Sequence, residues 1–422
     1  MNQKIQTGRT APHVSRLTLV AACLAIADPA LLQQSALAKG TVAVWGGCSA
    51  ECGFPESLIS VKQISAGFYF AAAIQADGSL VAWGNNNRGQ CNVPVNLGPV
   101  TALSTGGDWV LAVKADGTVA AWGNNDHGQC NTPSTLSGVR QVAGGGYHSL
   151  ALRIDGTIVA WGENWSGQCS VPTDLGPGSQ IAAGGNHSVG LLANGTVRCW
   201  GSNQQGQCNT PPTLAPAVHV ASSADTVAAL SGDGTVTCWG DNTFGQRNVP
   251  SGMGMVTQVA SSRNGSHFLA LNNQGRVFGW GFNNGGQCNV PPNLGVVTGI
   301  ATGPYVSFGL YSDVDGDGWR DTTDNCPALA NPNQADCNND GVGDVCDIAA
   351  GAPDFNHDTI PDTCQCLADL FVDRQINGAD LGALLSQWGA APAGTVSDIN
   401  RDGQVNGADL GYLLNAWGSC TN

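Results

Sequence analysis

Short apolar runs separated by polar turns make up most of the chain between residues 40 and 312. A typical run is 119–121, which follows the turn pair Asp116-Gly117 and ends at Trp122-Gly123. Asp-Gly between two β-branched or apolar runs is a hairpin signal, and no apolar residues recur with helical spacing over a useful length. The pattern therefore predicts short strands and a mainly β fold.

One unit of this pattern is repeated seven times. The pair Trp-Gly recurs at intervals of 38–41 residues, at Trp45, Trp83, Trp122, Trp161, Trp200, Trp239 and Trp280. Repeats of about 40 residues with several short strands each are typical of propeller blades. The chain enters the unit midway at 40–46 and leaves it midway at 308–310. We therefore predict a seven-bladed β-propeller over residues 39–312, in which the N-terminal strands complete the last blade.

The unit reads roughly D-G-T-V-x-A-W-G-x-N-x-x-G-Q-C-N-V-P. It resembles the repeats of the regulator of chromosome condensation (RCC1) family of propellers. The variants A-W-G and G-Q-x-x-V-P are especially similar to the secreted β-lactamase-inhibitor propeller of that family. The resemblance covers about residues 40–312. The family's nuclear members are nucleotide exchange factors, a role we do not expect here, because the chain has an export signal and no wedge-like insertion.

Two sets of loops vary between the copies. One follows the A-x-G turn and holds Phe68, Tyr69, Asp108, Trp109, Tyr147, Asn186, Asp225, Asn264 and Tyr305. The other follows Trp-Gly and holds Arg88, His127, Trp165, Phe244 and Phe282. Variable aromatic residues on a regular frame favour a recognition surface, although singly exposed aromatic residues need no explanation. In the similar inhibitor propeller such residues form the binding face. We expect a protein or glycan partner to contact Tyr69, Trp109, Tyr147, Trp165, Phe244 and Tyr305.

Several reactive residue types recur at fixed positions of the unit. A catalytic residue occurs once, so we assign the recurring histidines (His148, His187 and His267) to turns or inter-blade hydrogen bonds. The cysteines of the G-Q-C position are too far apart to pair with one another and are predicted to be small buried hydrophobes: Cys91, Cys130, Cys169, Cys208 and Cys288. Cys48 and Cys52 are close enough to pair. Phosphate loops, H-E-x-x-H and G-x-S-x-G are absent from the sequence, so we predict a protein that is not an enzyme.

Beyond residue 312 the chain becomes rich in regularly spaced Asp and Asn. Counting Asp313 as position 1, side-chain oxygens fall at positions 3, 5, 9 and 12, a Gly at 6, and a backbone carbonyl at 7. Ca²⁺ requires six to eight oxygen ligands in this kind of loop. The predicted ligands of the first copy are Asp313, Asp315, Asp317, Trp319, Asp321 and Asp324. Those of the second are Asp336, Asn338, Asp340, Val342, Asp344 and Asp347, and those of a weaker third copy are Asp354, Asn356, Asp358 and Asp362.

These segments, at 313–327 and 336–347, resemble thrombospondin type 3 repeats. We predict that the region of such repeats extends over residues 313–368. The resemblance implies calcium held by the carboxylates, together with disulfides. Six cysteines (Cys326, Cys337, Cys346, Cys364, Cys366 and Cys420) allow 15 pairings, of which Cys337–Cys346 and Cys326–Cys346 are rival predictions. A disordered acidic linker is the alternative.

Residues 369–422 contain two loop–helix units. The second has possible ligands at Asp398, Asn400, Asp402, Gln404, Asn406 and Asp409, followed by one apolar helix face of Leu410, Leu413, Leu414 and Trp417. The first has Asp369, Asp373, Asn377 and Asp380, then Leu381, Leu384, Leu385 and Trp388. It departs from the pattern because Phe371 replaces a ligand and Arg374 replaces the Gly, which leaves calcium there open.

The shared N-G-A-D-L of the two units resembles a type I dockerin. That resemblance implies docking to a cohesin on another protein, with Gly378, Ala379, Gly407 and Ala408 at the partner-facing positions. The alternative is a self-contained, calcium-stabilised end cap.

Charge separates the two parts of the chain. Residues 313–422 hold 18 Asp and three Arg, a net charge of −15 that equals the net charge of the whole chain. A neutral body with an acidic tail argues against nucleic-acid binding and for cations. At the other end, Lys4, Arg9 and Arg16 precede the apolar run 17–27, and a small-x-small site ends at Ala38.

These features predict a signal peptide over 1–38, although a buried N-terminal helix is the alternative. We therefore expect a secreted, extracellular or cell-surface protein with permitted disulfides and no integral membrane segment. The preferred function is an extracellular calcium-binding adaptor whose propeller binds a protein or glycan and whose C-terminal module docks to a cohesin-type partner. The alternatives are an inhibitor of an extracellular enzyme and a component of a polysaccharide-degrading assembly.

Overall fold

The structure is a computed structural model that describes residues 37–39, 41–47, 53–55, 58–261, 265–352, 354, 359–361, 364–365, 367–371, 375–392 and 395–419. Several predictions lie outside the described residues: the leader over 1–36, Cys48, Cys52, Asn264, Asn356, Asp358, Asp362, Cys366, Asp373, Arg374 and Cys420.

Twenty-two strands occupy the described part of the repeat region. In chain order they are β1 (Leu37–Lys39), β2 (Val42–Gly46), β3 (Val61–Ala66), β4 (Phe70–Gln75), β5 (Leu80–Gly84), β6 (Val100–Thr105), β7 (Trp109–Lys114), β8 (Val119–Gly123), β9 (Val139–Gly144), β10 (His148–Arg153), β11 (Ile158–Gly162), β12 (Gly178–Ala183), β13 (His187–Leu192), β14 (Val197–Gly201), β15 (Ala217–Ser222), β16 (Thr226–Ser231), β17 (Val236–Gly240), β18 (Val256–Ser261), β19 (His267–Asn272), β20 (Val277–Gly281), β21 (Gly299–Thr302) and β22 (Val306–Leu310).

The strands form seven antiparallel sheets among the described residues. Strands β3 to β20 make six sheets of three consecutive strands, and the seventh joins the two ends of the region in the order β1-β2-β22-β21. Val42 lies opposite Leu310 and Gly46 opposite Val306, so the N-terminal strands complete the last sheet as predicted. The innermost strand of each sheet contacts that of the next, and β21 returns to β3. Together these inner strands line a central cavity of about 250 Å³.

The Trp of each Trp-Gly pair joins neighbouring sheets. Trp161, for example, is buried with Leu111 and Val142 in a cluster shared by the second and third of the consecutive sheets. Its indole Nε1 donates to the backbone carbonyl of Gln129, which belongs to the preceding sheet, at 2.8 Å. A buried indole needs such a partner for its N–H. These tryptophans therefore serve packing between neighbouring sheets.

Glutamines on the innermost strands make a second connection between sheets. Gln63 donates through Nε2 to the carbonyl of Leu103 at 2.8 Å and accepts at Oε1 from the N–H of Leu103 at 3.1 Å. The same two-bond contact recurs from Gln141 to Ile181, from Gln180 to Val220 and from Gln258 to Ile300. These bonds satisfy backbone groups at sheet edges that have no neighbouring strand in their own sheet.

The tail contains short helices and two-residue strands. They are α1 (Asp344–Ala350), β23 (Gln375–Ile376), α2 (Gly378–Ser386), β24 (Gly389–Ala390), β25 (Gln404–Val405), α3 (Gly407–Asn415) and β26 (Gly418–Ser419). Strand β23 pairs with β26 and β24 pairs with β25, so each loop of the last module pairs with the segment after the other helix.

A small apolar core lies between the two helices of the last module, formed by Ala368, Ile376, Leu384, Ile399, Val405 and Leu413. Only part of each predicted helix face is buried. Leu384 and Leu413 are inside, whereas the next residues, Leu385 and Leu414, and the tryptophans Trp388 and Trp417 are about half exposed. The i, i+3, i+4 spacing identified both helices, but the core is too narrow to cover the whole face.

The first acidic loop contacts the end of the propeller. The Arg320 guanidinium lies 3.9 Å from the ring centroid of Tyr311, and the N–H of Asp321 donates to the carbonyl of Ser312 at 3.1 Å. Tyr311 is itself held by its hydroxyl, which donates to the carbonyl of Leu294 at 2.8 Å. Within the described residues we find no helix with the length and apolar character needed to cross a bilayer.

Candidate functional site

The two variable loops of each sheet lie at the same end of the sheet. Phe70, the first residue of β4, lies opposite Gly84, the last residue of β5. The loop residues just outside this pair are joined, because Asn85 donates its N–H to the carbonyl of Tyr69 at 2.8 Å. Glu163 and Tyr147 repeat this bond in another sheet at 3.0 Å. We call this end the loop face, and the opposite end, which carries the Asp-Gly turns, the hairpin edge.

The Gln of the G-Q motif holds each loop after Trp-Gly in place. Its side chain is buried and its Oε1 accepts from the backbone N–H two residues earlier, as in His127 to Gln129 and Phe244 to Gln246, at 2.9 and 2.7 Å. Its backbone carbonyl accepts the indole N–H of the next sheet. Side chains on these loops therefore project from a backbone that is fixed before any partner arrives, which lowers the entropy cost of binding.

Four aromatic rings from four consecutive sheets form a continuous row on the loop face. The ring centroids are 4.9 Å apart for Phe244–Phe282, 6.2 Å for Phe282–Tyr305 and 6.1 Å for Tyr305–Tyr69. We call this row the aromatic arc. Three of its members, Tyr69, Phe244 and Tyr305, are exposed. Tyr69 also has a positive φ of 56°, a left-handed conformation that non-glycine residues adopt at some cost.

A second cluster lies on the loops of two further sheets and combines aromatic rings with a carboxylate. His127 lies 4.5 Å from Tyr147 and 5.8 Å from Trp165 between ring centroids. Its Nδ1 is 3.2 Å from Oε2 of Glu163, whose side chain is only 8% exposed. Trp165, in contrast, is 85% exposed. We call these four residues the acidic corner. The sequence interpretation missed Glu163, whose only signal is a carboxylate directly after Trp-Gly, where two earlier copies have Asn.

The prediction that Trp109 contacts a partner is wrong. Trp109 is the first residue of β7 and is 1% exposed, in the same position as Phe70 and His148. Its ring occupies the space above Gly106, where a Cβ would clash with it at about 1.8 Å. The exposed position is therefore one residue earlier, where this sheet has Asp108 and other sheets have Tyr69, Tyr147 and Tyr305.

The recurring histidines are inter-blade contacts, as predicted. Nε2 of His148 is 2.9 Å from Oγ of Ser188, that of His187 is 2.8 Å from Ser222, and that of His267 is 3.1 Å from Ser307, each on the next sheet. Burial lowers the pKa of His187 to about 4 and that of His267 to about 3. The rings of His187 and His267 are therefore neutral packing groups at neutral pH.

The G-Q-C cysteines differ among themselves. Cys91, Cys130, Cys169 and Cys288 are partly buried free thiols, and burial raises each pKa to about 11 or 12. Cys208 contradicts the prediction, because it forms a disulfide with Cys199 of the same sheet. The expectation considered only pairs between equivalent positions, and Cys199 occupies a different position, directly before Trp-Gly.

The first acidic loop brings carboxylates together around a common centre. One oxygen each of Asp313, Asp315 and Asp317 lies within 4.8 Å of the others, the only all-carboxylate group of this kind in the described part of the chain. Asp315 Oδ2 is buried without a hydrogen-bond partner. Burial, and then the charges of Asp317, Asp324 and Asp313, raise the pKa of Asp315. An unpaired buried oxygen among like charges fits a bound cation.

The turn of the first loop is built by its own side chains. Gly318, at position 6, donates its N–H to Asp313 at position 1 at 3.1 Å, and Trp319 at position 7 donates to Asp317 at position 5 at 2.8 Å. Asp321 accepts from the N–H of Val314 at 2.9 Å, and Asp324 accepts from that of Cys326 at 2.8 Å.

The second loop repeats this geometry. Gly341 donates to Asp336 at 3.0 Å, Val342 donates to Asp340 at 2.8 Å, and Asp344 accepts from the N–H of Cys337 at 2.8 Å. Asp336 Oδ1 is buried without a partner. Burial and the charges of its acidic neighbours raise the pKa of Asp347, which also accepts from Asn338 at 3.2 Å. Both loops therefore have a donor set suited to Ca²⁺.

The remaining predicted loops differ in how many of the turn hydrogen bonds they form among the described residues. In the third copy Thr359 donates its N–H to Asp354 at 3.2 Å, but the other predicted ligands lie outside the described residues. In the last module Gly403 donates to Asp398 at 3.0 Å, Gln404 donates to Asp402 at 2.9 Å, and Asn400 accepts from Asp402 at 3.1 Å.

The position-12 carboxylates of the last module also close their loops. Asp409 is buried and accepts the N–H groups of Ile399 and Asn406, both at 2.8 Å. In the same way, Asp380 accepts the N–H groups of Leu370 and Asn377, which lie ten and three residues before it, at 2.8 and 2.9 Å. Leu370 directly follows Asp369, which is position 1 of the first unit.

Disulfides link the acidic loops. Cys326 pairs with Cys346, and Cys337 pairs with Cys364. Of the two rival predictions, Cys326–Cys346 is confirmed and Cys337–Cys346 is wrong. Cys337 and Cys346 both belong to the second loop. The observed bridges connect different loops instead: Cys346, near the start of α1, pairs with Cys326 after the first loop, and Cys364 of the third copy pairs with Cys337.

Comparison with known proteins identifies the class of fold. The chain covers the whole of human WBSCR16 with 64% of its own length, at 19% identity and a TM-score of 0.54. It covers 94% of Prp20p from Saccharomyces cerevisiae with 67% of its length, at 17% identity and a TM-score of 0.53. At these identities the likeness concerns the fold, which is that of an RCC1-like β-propeller.

The repeats themselves are also identified. The chain carries six regulator of chromosome condensation (RCC1) repeats, at 61–90, 100–129, 139–168, 179–207, 217–246 and 256–287. A thrombospondin type 3 repeat follows at 312–334, which includes the first acidic loop. No curated protein matches the chain.

Proposed function

We propose that this protein is an extracellular, calcium-associated adaptor whose seven sheets form one seven-bladed propeller that binds a protein partner through its loop face. The aromatic arc carries this proposal. Partly exposed rings in a continuous row, two of them on loops fixed by the buried Gln246 and Gln287, are the composition and rigidity of binding hot spots. A glycan could also stack on such rings, and it is the alternative ligand for the same surface.

The role is binding and not catalysis. The histidines that recur in the repeats face serines of neighbouring sheets, and the free thiols have pKa values raised to about 11 or 12, so these groups serve packing. Thiols of this kind are poor nucleophiles near neutral pH because little thiolate forms. Inhibition of a secreted enzyme is one form that such binding could take.

Calcium is the proposed ligand of the acidic loops. Asp313, Asp315, Asp317 and Asp324 would hold it in the first loop, and Asp336, Asn338, Asp340 and Asp347 in the second. When bound, Ca²⁺ supplies the positive charge that offsets the crowded carboxylates. The loop turns that place these side chains are closed by their own backbone N–H groups.

The last module is proposed to attach the protein to a cohesin-type partner. The four partner-facing positions, Gly378, Ala379, Gly407 and Ala408, are all exposed. Leu385 and Trp388 on α2, and Leu414 and Trp417 on α3, add apolar surface at equivalent places on the two helices. In an assembly that degrades polysaccharides, such a module would recruit the propeller. The two disulfides of the acidic loops and the predicted leader support an extracellular location.

The aromatic arc can be tested by capture. The triple variant Tyr69→Ala, Phe244→Ala and Tyr305→Ala is compared with the wild type as bait for proteins of the native extracellular fluid, quantified by mass spectrometry. A matched control removes three exposed valines near the hairpin edge (Val95→Ala, Val218→Ala and Val296→Ala). We expect the arc variant to lose the enriched protein by at least about tenfold, the loss of roughly 1.4 kcal/mol or more, at an unchanged melting temperature.

Equal capture by the arc variant and the wild type contradicts the proposal. Equal loss in the arc variant and the valine control also contradicts it, because the loop face would then have no special role.

A further inference from the structure

The loop face and the hairpin edge carry different charge. In the described loops of the loop face we count five acidic residues and two basic residues: Asp108, Asp126, Glu163, Asp225, Asp241, Arg88 and Arg247. Arg263, which belongs to these loops by sequence, lies outside the described residues. The hairpin edge balances Asp77, Asp116, Asp155, Asp174 and Asp233 against Lys62, Lys114, Arg140, Arg153, Arg198 and Arg276. The acidic excess of the propeller is therefore on its aromatic face.

One of the two described cations of the loop face, Arg88, is already paired. Arg88 Nη1 lies 3.3 Å from Asp126 Oδ2, so this pair contributes no net charge. Asp225 and Asp241 accept hydrogen bonds from the buried Gln207 and Gln246 at 2.8 and 2.7 Å. Burial, and then the charge of Asp241, raise the pKa of Asp225.

The acidic corner has the form of a site for a cationic side chain. The Glu163 carboxylate is almost buried beside His127, while Tyr147 and Trp165 project beside it as half-exposed and almost fully exposed rings. Aromatic faces attract ammonium and guanidinium groups, and a desolvated carboxylate strengthens that preference. His127 faces only Oε2, and a carboxylate has accepting capacity on both oxygens.

We propose that the acidic corner binds a lysine or arginine side chain of the protein partner, with the cation against Trp165 and Tyr147 and its charge on Glu163. This inference rests on the proposed function of the loop face and adds the chemistry of the partner. The aromatic arc supplies apolar contact area, and the acidic corner selects a partner surface that presents a basic residue. An acidic partner is repelled by the same face.

The test uses two short peptides that differ in one residue, arginine or its neutral isostere citrulline, and the full-length protein with saturating Ca²⁺. Binding is measured by calorimetry in one buffer at a fixed pH. We expect the arginine peptide to bind at least about tenfold more tightly than the citrulline peptide, and the preference to weaken with added salt. The variants Glu163→Gln and Trp165→Ala should reduce the preference to about one.

Asp155→Asn at the hairpin edge is the control, because it removes the same charge from the same molecule with the same acidic tail. The preference of this variant for the arginine peptide over the citrulline peptide should equal that of the wild type. The inference is overturned if the wild type does not distinguish the peptides, or if Asp155→Asn lowers the preference as much as Glu163→Gln. Since Glu163 is nearly buried, the exposed variant Trp165→Ala keeps the test valid if Glu163→Gln unfolds. If arginine is not preferred but the arc variant still loses its partner, the adaptor function stands and only this inference fails.

Discussion

The propeller and the acidic tail become ordered by different physical means. In the propeller, apolar clusters such as Leu150, Ile181 and Trp200 are shared by neighbouring sheets, and indole and glutamine hydrogen bonds join those sheets. In the tail, the described core is a small cluster in the last module, and the loops around Asp315 and Asp336 hold buried oxygens without partners. The described propeller is held by apolar packing and hydrogen bonds between sheets, whereas the described tail has two disulfides and crowded carboxylates, for which we propose calcium as the counter-charge.

In the propeller, repetition provides both the strands of each blade and the contacts between blades. The Trp of one unit donates its indole N–H to the Gln carbonyl of the preceding unit, so one short motif serves both purposes. The tail also repeats a motif, but its repeated carboxylates repel one another. We therefore propose that repetition there requires cations, and three experiments test the difference between the two regions.

Removal of calcium has the largest expected effect. With excess EDTA, residues 313–419 should unfold because the carboxylates of the acidic loops lose their counter-charge, while the β signal of the propeller remains. Limited proteolysis with mass spectrometry should show cleavage in the tail accelerated by at least about tenfold, restored by added Ca²⁺. A far-ultraviolet spectrum and a cleavage pattern that do not respond to EDTA would rule out a calcium-dependent tail.

Acidification is expected to destabilise the propeller, whereas calcium removal is expected to unfold the tail. His187 and His267 have folded-state pKa values of about 4 and about 3, below the unfolded value of 6.5, because burial disfavours their charged form. The unfolded chain therefore binds more protons below pH 6.5, and stability is lost as the pH falls from there towards 4. Each histidine costs about 1.4 kcal/mol per pH unit, so two cost roughly 4 kcal/mol between pH 7 and pH 5.

Urea unfolding of the propeller, followed by its β signal, measures this loss. His187→Thr is the matched variant, because Thr226 occupies the equivalent position in the next sheet. Its stability should depend on pH less steeply than that of the wild type, because one of the buried histidines is removed. An identical slope in the variant would assign the acid sensitivity to other groups.

A new disulfide has the smallest expected effect of the three. Cys238 occupies the position of Cys199, but Arg247 stands where Cys208 would complete the bridge. Arg247→Cys should therefore form a second intra-blade disulfide, and closing a loop of this length stabilises a protein by roughly 2–3 kcal/mol. Burial raises the pKa of Cys238 to about 12, so the variant should be oxidised during refolding and not afterwards.

Thiol counting under denaturing conditions measures this bridge, and Arg247→Ser is the control. The bridged variant should have one free thiol fewer than the control. One thiol more than the control would show that positions 238 and 247 do not approach as positions 199 and 208 do.

Sequence reasoning predicted most of the fold and the general place of the site. The spacing of Trp-Gly identified the repeated blades, and the mid-unit ends identified the closure by β2 and β22. It correctly placed Tyr69, Tyr147 and Tyr305 on exposed loops, but it also placed Trp109 there. The residue just before each strand is exposed, whereas the first residue of the strand is buried. A repeat pattern in the sequence alone does not resolve a shift of one residue.

The sequence by itself determined the local units of this protein: strands between Asp-Gly turns, acidic loops with carboxylates at fixed positions, and two helices that begin within N-G-A-D-L. These depend on contacts between near neighbours, which spacing along the chain encodes directly. Only the tertiary structure decided which residues meet across sheets, such as Glu163 with His127 and Phe282 with Tyr305. Those contacts depend on the angle between sheets and the register within them, which arise when the ring closes and apolar side chains from adjacent units pack together.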